Sequence, residues 1–349
     1  MENPNPLRSR INTAPARPRV AVIGAGGWGT ALAIVLARQG LRPRLWVRED
    51  EVWSAIRARR ENLQFLPGLR VPEEVEASQD LAGCLAGAEI VVTAMPSHVC
   101  RPMLARMAAC LEPAMLLVSA TKGLEDGTLA RMSEVIAEEL APRFAARVAV
   151  LSGPTFAPEV ARGEPTALVA ASRDAGLAER VQQAFSGPNF RVYTNADPAG
   201  VELGASLKNV IAIAAGICAG MGLGSNALAA LITRGLAEIS RLAEAAGGRR
   251  ETLAGLAGLG DLVLTCTGQL SRNRRVGVEL AQGRRLGEIL AGMHGMVAEG
   301  VKTTAAAREL SRRRQIEMPI TETMYRVLFE DLPPRQGVKE LMERRLRPE

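Results

Sequence analysis

Aromatic side chains are scarce in this chain: three Trp, two Tyr and six Phe make up 3% of its 349 residues. Neither base-stacking platforms for nucleic acid nor a ring-built core can be drawn from so few. Histidine is scarcer still. His98 and His294 lie far apart, and no histidine-based metal centre can be composed from them. The five cysteines (Cys84, Cys100, Cys110, Cys218, Cys266) contain no C-x-x-C pair and are odd in number. That pattern excludes a zinc module or a disulfide scaffold and predicts reduced thiols in a cytoplasmic protein. Long uninterrupted apolar runs are missing too. The longest, residues 210–224, is short, broken by glycines and preceded by Lys208 and Asn209, which reads as a buried helix and not a membrane span. Residues 1–17 are rich in Pro, Asn and Arg, lack the apolar stretch of a signal peptide, and are expected to be a disordered tail.

What is present is small and aliphatic. Hydrophobic residues form 47% of the chain, charged ones 23%, and there are 34 glycines, the texture of closely approaching backbones in an α/β enzyme. The net charge of +6 is dispersed. Without a basic stripe it speaks against a nucleic-acid partner and is compatible with anionic small-molecule ligands. The length suits two domains.

Short β-branched runs at residues 19–23, 44–47, 89–94, 115–119, 148–151, 166–170 and 190–193 alternate with helical patterns at 30–38, 102–110, 129–140, 158–162 and 175–185. Such alternation predicts βαβ units and a mostly parallel, Rossmann-type sheet. From Gly200 onward only helical segments appear: 201–220, 226–246, 271–282, 299–314, 320–329 and 337–345. The expected organisation is therefore a tail at 1–17, a dinucleotide-binding domain at 18–198 and an all-helical substrate domain at 199–349, with the active site between the two.

Gly24-Ala25-Gly26-Gly27-Trp28-Gly29 follows a strand and opens a helix, the context in which G-x-G-x-x-G binds a dinucleotide. Gly24 permits the turn, Gly26 lets the backbone approach a pyrophosphate, and Gly29 allows the helix to pack on the strand. A merely structural glycine turn is the plainer alternative. At the end of the second strand Arg48 stands where an acid would read the ribose hydroxyls of NAD, which favours NADP(H), although Glu49 and Asp50 follow at once.

Polar residues in apolar surroundings mark the chemistry. Lys122 lies just past a buried strand, where ligands of open α/β sheets bind, and Gly153 and Thr155 follow another strand. Lys208 sits within a helix whose later turns are apolar; it is either a desolvated proton-transferring lysine or one that snorkels to solvent. Asp261, in GLGDLVLT, would pair with a buried lysine or cap a helix. Ser271 reads as an N-cap with Arg272 and Asn273 in the first turn, either an anion site or a surface basic cluster.

Together the words GAGGWGTALA, NLQFLPG, AMPSH, SATKGLE, SGPTFA, ELGASLKNVIAIAAG, GLGDLVLTCT, SRNRRVG and VAEGVKT resemble, in order from about residue 20 to 304, the bacterial NAD(P)-dependent glycerol-3-phosphate dehydrogenases. The resemblance implies interconversion of sn-glycerol 3-phosphate and dihydroxyacetone phosphate, a cytoplasmic homodimer, and a supply of precursor for phospholipid synthesis. It implies Lys208 as the proton-transferring lysine, with Lys122 and Asp261 beside it. Gly153, Thr155, Ser271, Arg272 and Asn273 would also meet the substrate. Gly27, Trp28, Arg48, Lys122, Ala157, Arg272, Val297 and Glu299 would meet the cofactor. Many relatives carry Ser at the positions of Gly27 and Thr155, so side-chain contacts there do not carry over. Ketopantoate reductases and 3-hydroxyacid dehydrogenases resemble the same general plan. A non-catalytic NADP sensor would not need two lysines and a carboxylate at depth.

Overall fold

A computed structural model describes residues 17–293 and 298–345. The expected tail lies, but for Arg17, outside the described residues. The first stretch of chain runs β1 (Val20–Ile23), α1 (Gly27–Arg38), β2 (Arg44–Trp46), α2 (Asp50–Arg59), β3 (Glu61–Asn62), β4 (Leu66–Arg70), β5 (Glu76–Ser78) and α3 (Leu81–Leu85). It continues through β6 (Ile90–Thr93), α4 (Cys100–Met107), β7 (Leu116–Ser119), α5 (Met132–Leu140), β8 (Arg147–Ser152), α6 (Ala157–Arg162), β9 (Thr166–Ala171), α7 (Ala175–Phe185) and β10 (Phe190–Asn195).

Eight of these strands form one sheet in the order β10-β9-β8-β7-β6-β1-β2-β5. The central strands are short and almost wholly apolar because both faces are covered. Val22, Val92 and Val118 pack with Leu32, Leu36 and Phe185 on one side. Ile23, Val91 and Leu117 pack with Leu104 and Ile136 on the other. From β5 to β8 the strands are parallel, and the order reverses between β1 and β6, where open α/β sheets form their ligand crevice. The sheet is mixed at one place: β9 runs antiparallel to β8.

After β10 the described residues hold only helices: α8 (Pro198–Gly220), α9 (Ser225–Ala245), α10 (Arg250–Leu253), a π-helical turn at Leu256–Gly260, α11 (Asp261–Thr267), α12 (Arg272–Ala281), α13 (Leu286–Ala291), α14 (Glu299–Arg313), α15 (Pro319–Phe329) and α16 (Pro334–Met342). Helix α8 is the axis of this part. Pro198 sits in its first turn, and the Asp197 carboxylate accepts from Gly200 N–H at 2.9 Å, a pre-set φ and a capped donor. By length and composition α8 could cross a membrane, yet 89% of its apolar window is buried inside the protein, which makes it a core helix. Helix α12 lies against it at backbone contact. A Cβ on Gly216 would meet the Arg274 carbonyl oxygen at 1.9 Å, and one on Gly277 would meet that of Ile213 at 1.9 Å.

Several elements depart from the expectation. Helix α2 carries only Val52 and Ile56 inward, too thin a stripe to read. The β3–β4 hairpin contains Pro67 and Gly68, and β5 has three residues. Helix α5 begins at Met132, not 129, because Leu129 takes a left-handed φ of 64° beside a bridge between Leu124 and Arg131. Helix α16 starts and stops three residues early, at Pro334 and Met342.

Sheet and helices meet across a buried polar seam. Glu202 of α8 accepts from Arg131 Nη1 at 2.6 Å, Ser133 N–H at 2.8 Å and Ser133 Oγ at 2.6 Å, all at the start of α5. Burial pushes its pKa up, and the Arg131 guanidinium opposes that shift. Glu202→Ala would leave Arg131 with the half-exposed Glu134 as its one ionic partner among the described residues. It should lower unfolding free energy by about 3 kcal/mol, measured by urea denaturation followed by circular dichroism; a loss below about 1 kcal/mol would show that the seam contributes little.

Candidate active site

The glycine-rich turn links β1 to α1. Gly24 has φ 113°, and a Cβ there would meet the Ala94 carbonyl oxygen at 2.6 Å; one on Gly29 would meet the Gly24 oxygen at 1.9 Å. These two glycines are demanded by the protein itself. Gly26 is different, because a Cβ there has nothing within 4 Å. Its freedom faces open space, where a pyrophosphate can approach. Gly26 is also the N-cap of α1 with no side-chain cap, which leaves first-turn N–H groups for an anion. The indole Nε1 of Trp28 is buried without a hydrogen-bond partner among the described residues. An uncapped helix start, an open glycine and an orphaned donor fit a dinucleotide. At Gly27 a Cβ would come to 2.9 Å from the Phe65 carbonyl oxygen, so glycine suits the close hairpin here. Arg48 is exposed and paired with Glu49 at 2.6 Å, so the acid that blurred the cofactor reading is in direct contact with it. Ala157 opens α6 beside Gly27.

At the chemical centre Asp261, fully buried, joins two lysines. Its Oδ2 accepts from Lys122 Nζ at 2.9 Å, and its Oδ1 accepts from Lys208 Nζ. Asp261 stands in the first turn of α11 and does not cap it; the N-cap is Gly260. Lys208 does not snorkel, since its side chain is 6% exposed. Desolvation lowers its pKa to about 7, with the Asp261 charge pulling upward and Lys122 pushing further down. Lys122 keeps more solvent and also donates to the Gly153 carbonyl at 3.4 Å. Thr155 Oγ1 turns back to the same carbonyl at 3.2 Å. A Cβ on Gly153 would collide with Leu168 at 2.7 Å, so the turn after β8 has no room for a side chain.

A third group of residues lies at the start of α12. Ser271 caps it by accepting from Arg274 N–H at 3.2 Å, as expected of an N-cap. Arg272 is solvent-accessible but hemmed in by protein, which lowers its pKa against the pull of Glu299. Glu299 opens α14, and Ser97 Oγ reaches it at 3.5 Å. The Asn273 amide points inward, donating to Asn209 Oδ1 at 3.0 Å and accepting from Gly300 N–H at 2.9 Å. Its side chain therefore ties α12 to α8 and α14 and does not face an anion site beside Arg272. Val297 lies outside the described residues.

Sequence reasoning missed three participants. Thr265 Oγ1 accepts from Lys208 Nζ at 2.8 Å and donates to the Asp261 carbonyl at 2.6 Å. Its spacing of four from Asp261 on one helical face was the available signal. Ser206 Oγ accepts from Gly123 N–H at 3.0 Å, fastening the Lys122 loop to α8. Asn62 is buried behind the glycine-rich turn.

The comparisons agree with this geometry. The family models for the N- and C-terminal parts of NAD-dependent glycerol-3-phosphate dehydrogenase match residues 19–178 and 197–339. The glycerol-3-phosphate dehydrogenase [NAD(P)+] of Koribacter versatilis is 59% identical over 93% of this chain and 97% of its own. That of Geobacter sulfurreducens is 54% identical over 95% and 98%. The crystal structure of glycerol-3-phosphate dehydrogenase from Coxiella burnetii superposes with a TM-score of 0.89 at 44% identity, covering 94% of this chain and 99% of that one. Two lysines on one buried carboxylate, a dinucleotide turn and full-length similarity lead to one conclusion: the chain belongs to the NAD(P)-dependent glycerol-3-phosphate dehydrogenases.

Proposed function

We propose that Lys208 transfers the proton as dihydroxyacetone phosphate and sn-glycerol 3-phosphate interconvert, and that the carrying observation is the buried Asp261 carboxylate bridging its ammonium and that of Lys122. The bound nicotinamide supplies or accepts the hydride. In the reducing direction the Lys208 ammonium gives a proton to the oxygen at C2. A pKa of about 7 suits this exchange at neutral pH, since donor and acceptor forms are both populated. The Asp261 carboxylate holds the two lysines at one place. Lys122 adds positive charge where the carbonyl oxygen gains negative charge. Gly153 and Thr155 border the reacting end of the substrate. Ser271, Arg272 and Asn273 form its phosphate end, Asn273 through backbone N–H.

On the cofactor side, Gly24, Gly26, Gly27, Trp28 and Gly29 receive the pyrophosphate, and Ala157, Lys122, Arg272 and Glu299 line the rest. Arg48 reads a 2′-phosphate, which makes NADPH the preferred cofactor. The enzyme works as a homodimer in the cytoplasm, consistent with its five free thiols, and feeds phospholipid synthesis.

Lys208→Ala should cut kcat at least ~100-fold in a folded protein. In the native enzyme, kcat for ketone reduction should fall as pH rises through about 7, because the donating ammonium is lost. Near-normal turnover of the variant would remove Lys208 from the mechanism.

Arg48→Asp should weaken NADPH far more than NADH, read from the two KM values. Equal losses would mean that the guanidinium does not meet the 2′-phosphate.

Arg272→Ala should depress kcat and raise KM for dihydroxyacetone phosphate while barely altering the poor turnover of unphosphorylated dihydroxyacetone, because remote phosphate binding positions the carbonyl. NADPH affinity measured in the same variant separates this from a cofactor contact, and equal losses on both ketones would refute the phosphate role.

A further inference from the structure

The word NLQFLPG takes no part in the chemistry above, yet its first residue is locked to the cofactor turn. Asn62 has no exposed surface. Its Nδ2 donates to the Ala25 carbonyl at 2.8 Å and to Thr30 Oγ1 at 2.9 Å, while its Oδ1 accepts from Phe65 N–H at 3.0 Å. One amide therefore connects the middle of G-x-G-x-x-G, the first turn of α1 and the tip of the hairpin.

The Ala25–Gly26 peptide unit is planar and trans, so its C=O and N–H point in opposite directions. Fixing the carbonyl inward fixes the Gly26 N–H outward. A Cβ on Gly26 would have nothing within 4 Å, so the residue borders open space, and none of the hydrogen bonds among the described residues uses that N–H. Gly24 and Gly26, on either side, carry no Cβ, and a turn so permissive would let this peptide plane rotate if it were not held. Thr30 Oγ1 approaches the same carbonyl only at 3.4 Å, which leaves Asn62 as the closer tether.

We infer that Asn62 is a positioning residue for the cofactor: by holding the Ala25 carbonyl inward, it aims the Gly26 N–H at the pyrophosphate of the dinucleotide. The inference rests on the glycine-rich turn as the cofactor site. It does not depend on which residue moves the proton.

Asn62→Asp keeps the size of the side chain and an acceptor for Phe65 but cannot donate to Ala25. Asn62→Ala removes the donor without burying a charge, so the two variants guard against a folding failure peculiar to either. NADPH binding is titrated by its fluorescence, without substrate, well below each variant's melting temperature. The expected result is a Kd raised at least ~10-fold, about 1.4 kcal/mol, with kcat restored to within about twofold and the KM for dihydroxyacetone phosphate unchanged once NADPH saturates. A folded variant with lower Tm but native Kd would reduce Asn62 to a brace for the hairpin. A loss of kcat that saturating NADPH does not restore would also overturn the inference. Gly26→Ala tests the underlying site separately: its added methyl enters the open space, and unchanged NADPH affinity there would mean that the turn is not where the cofactor binds.

Discussion

A carboxylate with no exposed surface is costly unless opposite charge surrounds it, and Asp261 meets that condition with two lysines drawn from different parts of the chain. Lys122 comes from the loop after β7, Lys208 from the middle of α8, and Asp261 from the first turn of α11. The shared carboxylate offsets the burial of Lys208 and draws Lys122 to the same point, and the two lysines offset the burial of the carboxylate in turn. The triad therefore requires the sheet and the helices to be docked, and the docked arrangement requires the triad to be paired. The seam of Glu202 with Arg131 and Ser133, and the bond from Gly123 to Ser206, supply the same connection through groups that take no part in the chemistry.

The balance of forces at Lys208 follows from this placement. Desolvation and Lys122 act to discharge it, and Asp261 acts to keep it charged. The first influence comes from packing, the others from the loop after β7 and from the first turn of α11. An ammonium placed in this way responds to the relative position of sheet and helices as well as to its own helix.

Much of this was legible in the residues. The central strands were visible because sheet strands covered on both faces become short apolar runs, and the glycine turn because its spacing has few other uses. Lys122, Lys208 and Asp261 stood out as charges in apolar settings, although nothing local could say that the three meet: residues 122, 208 and 261 converge only through tertiary packing. The same limit hid Asn273, whose amide was expected to face an anion and instead ties α12 to Asn209 and Gly300. It also hid Asn62, since a polar residue ahead of a loop looks solvated until its partners 37 and 32 positions away are known. Helix α2 and strand β5 escaped notice because too few of their side chains turn inward to leave a period.

The glycine contact between α8 and α12 bears on how this enzyme can change over generations. Gly216 and Gly277 bring two helix backbones together with no side chain between them, and those helices carry Lys208 and Arg272. Their separation is thus a property of main chain, which substitution cannot trim by small steps. Even alanine at either glycine would force the helices apart, so sequence drift has to proceed around this contact while the spacing of the two helices stays constant.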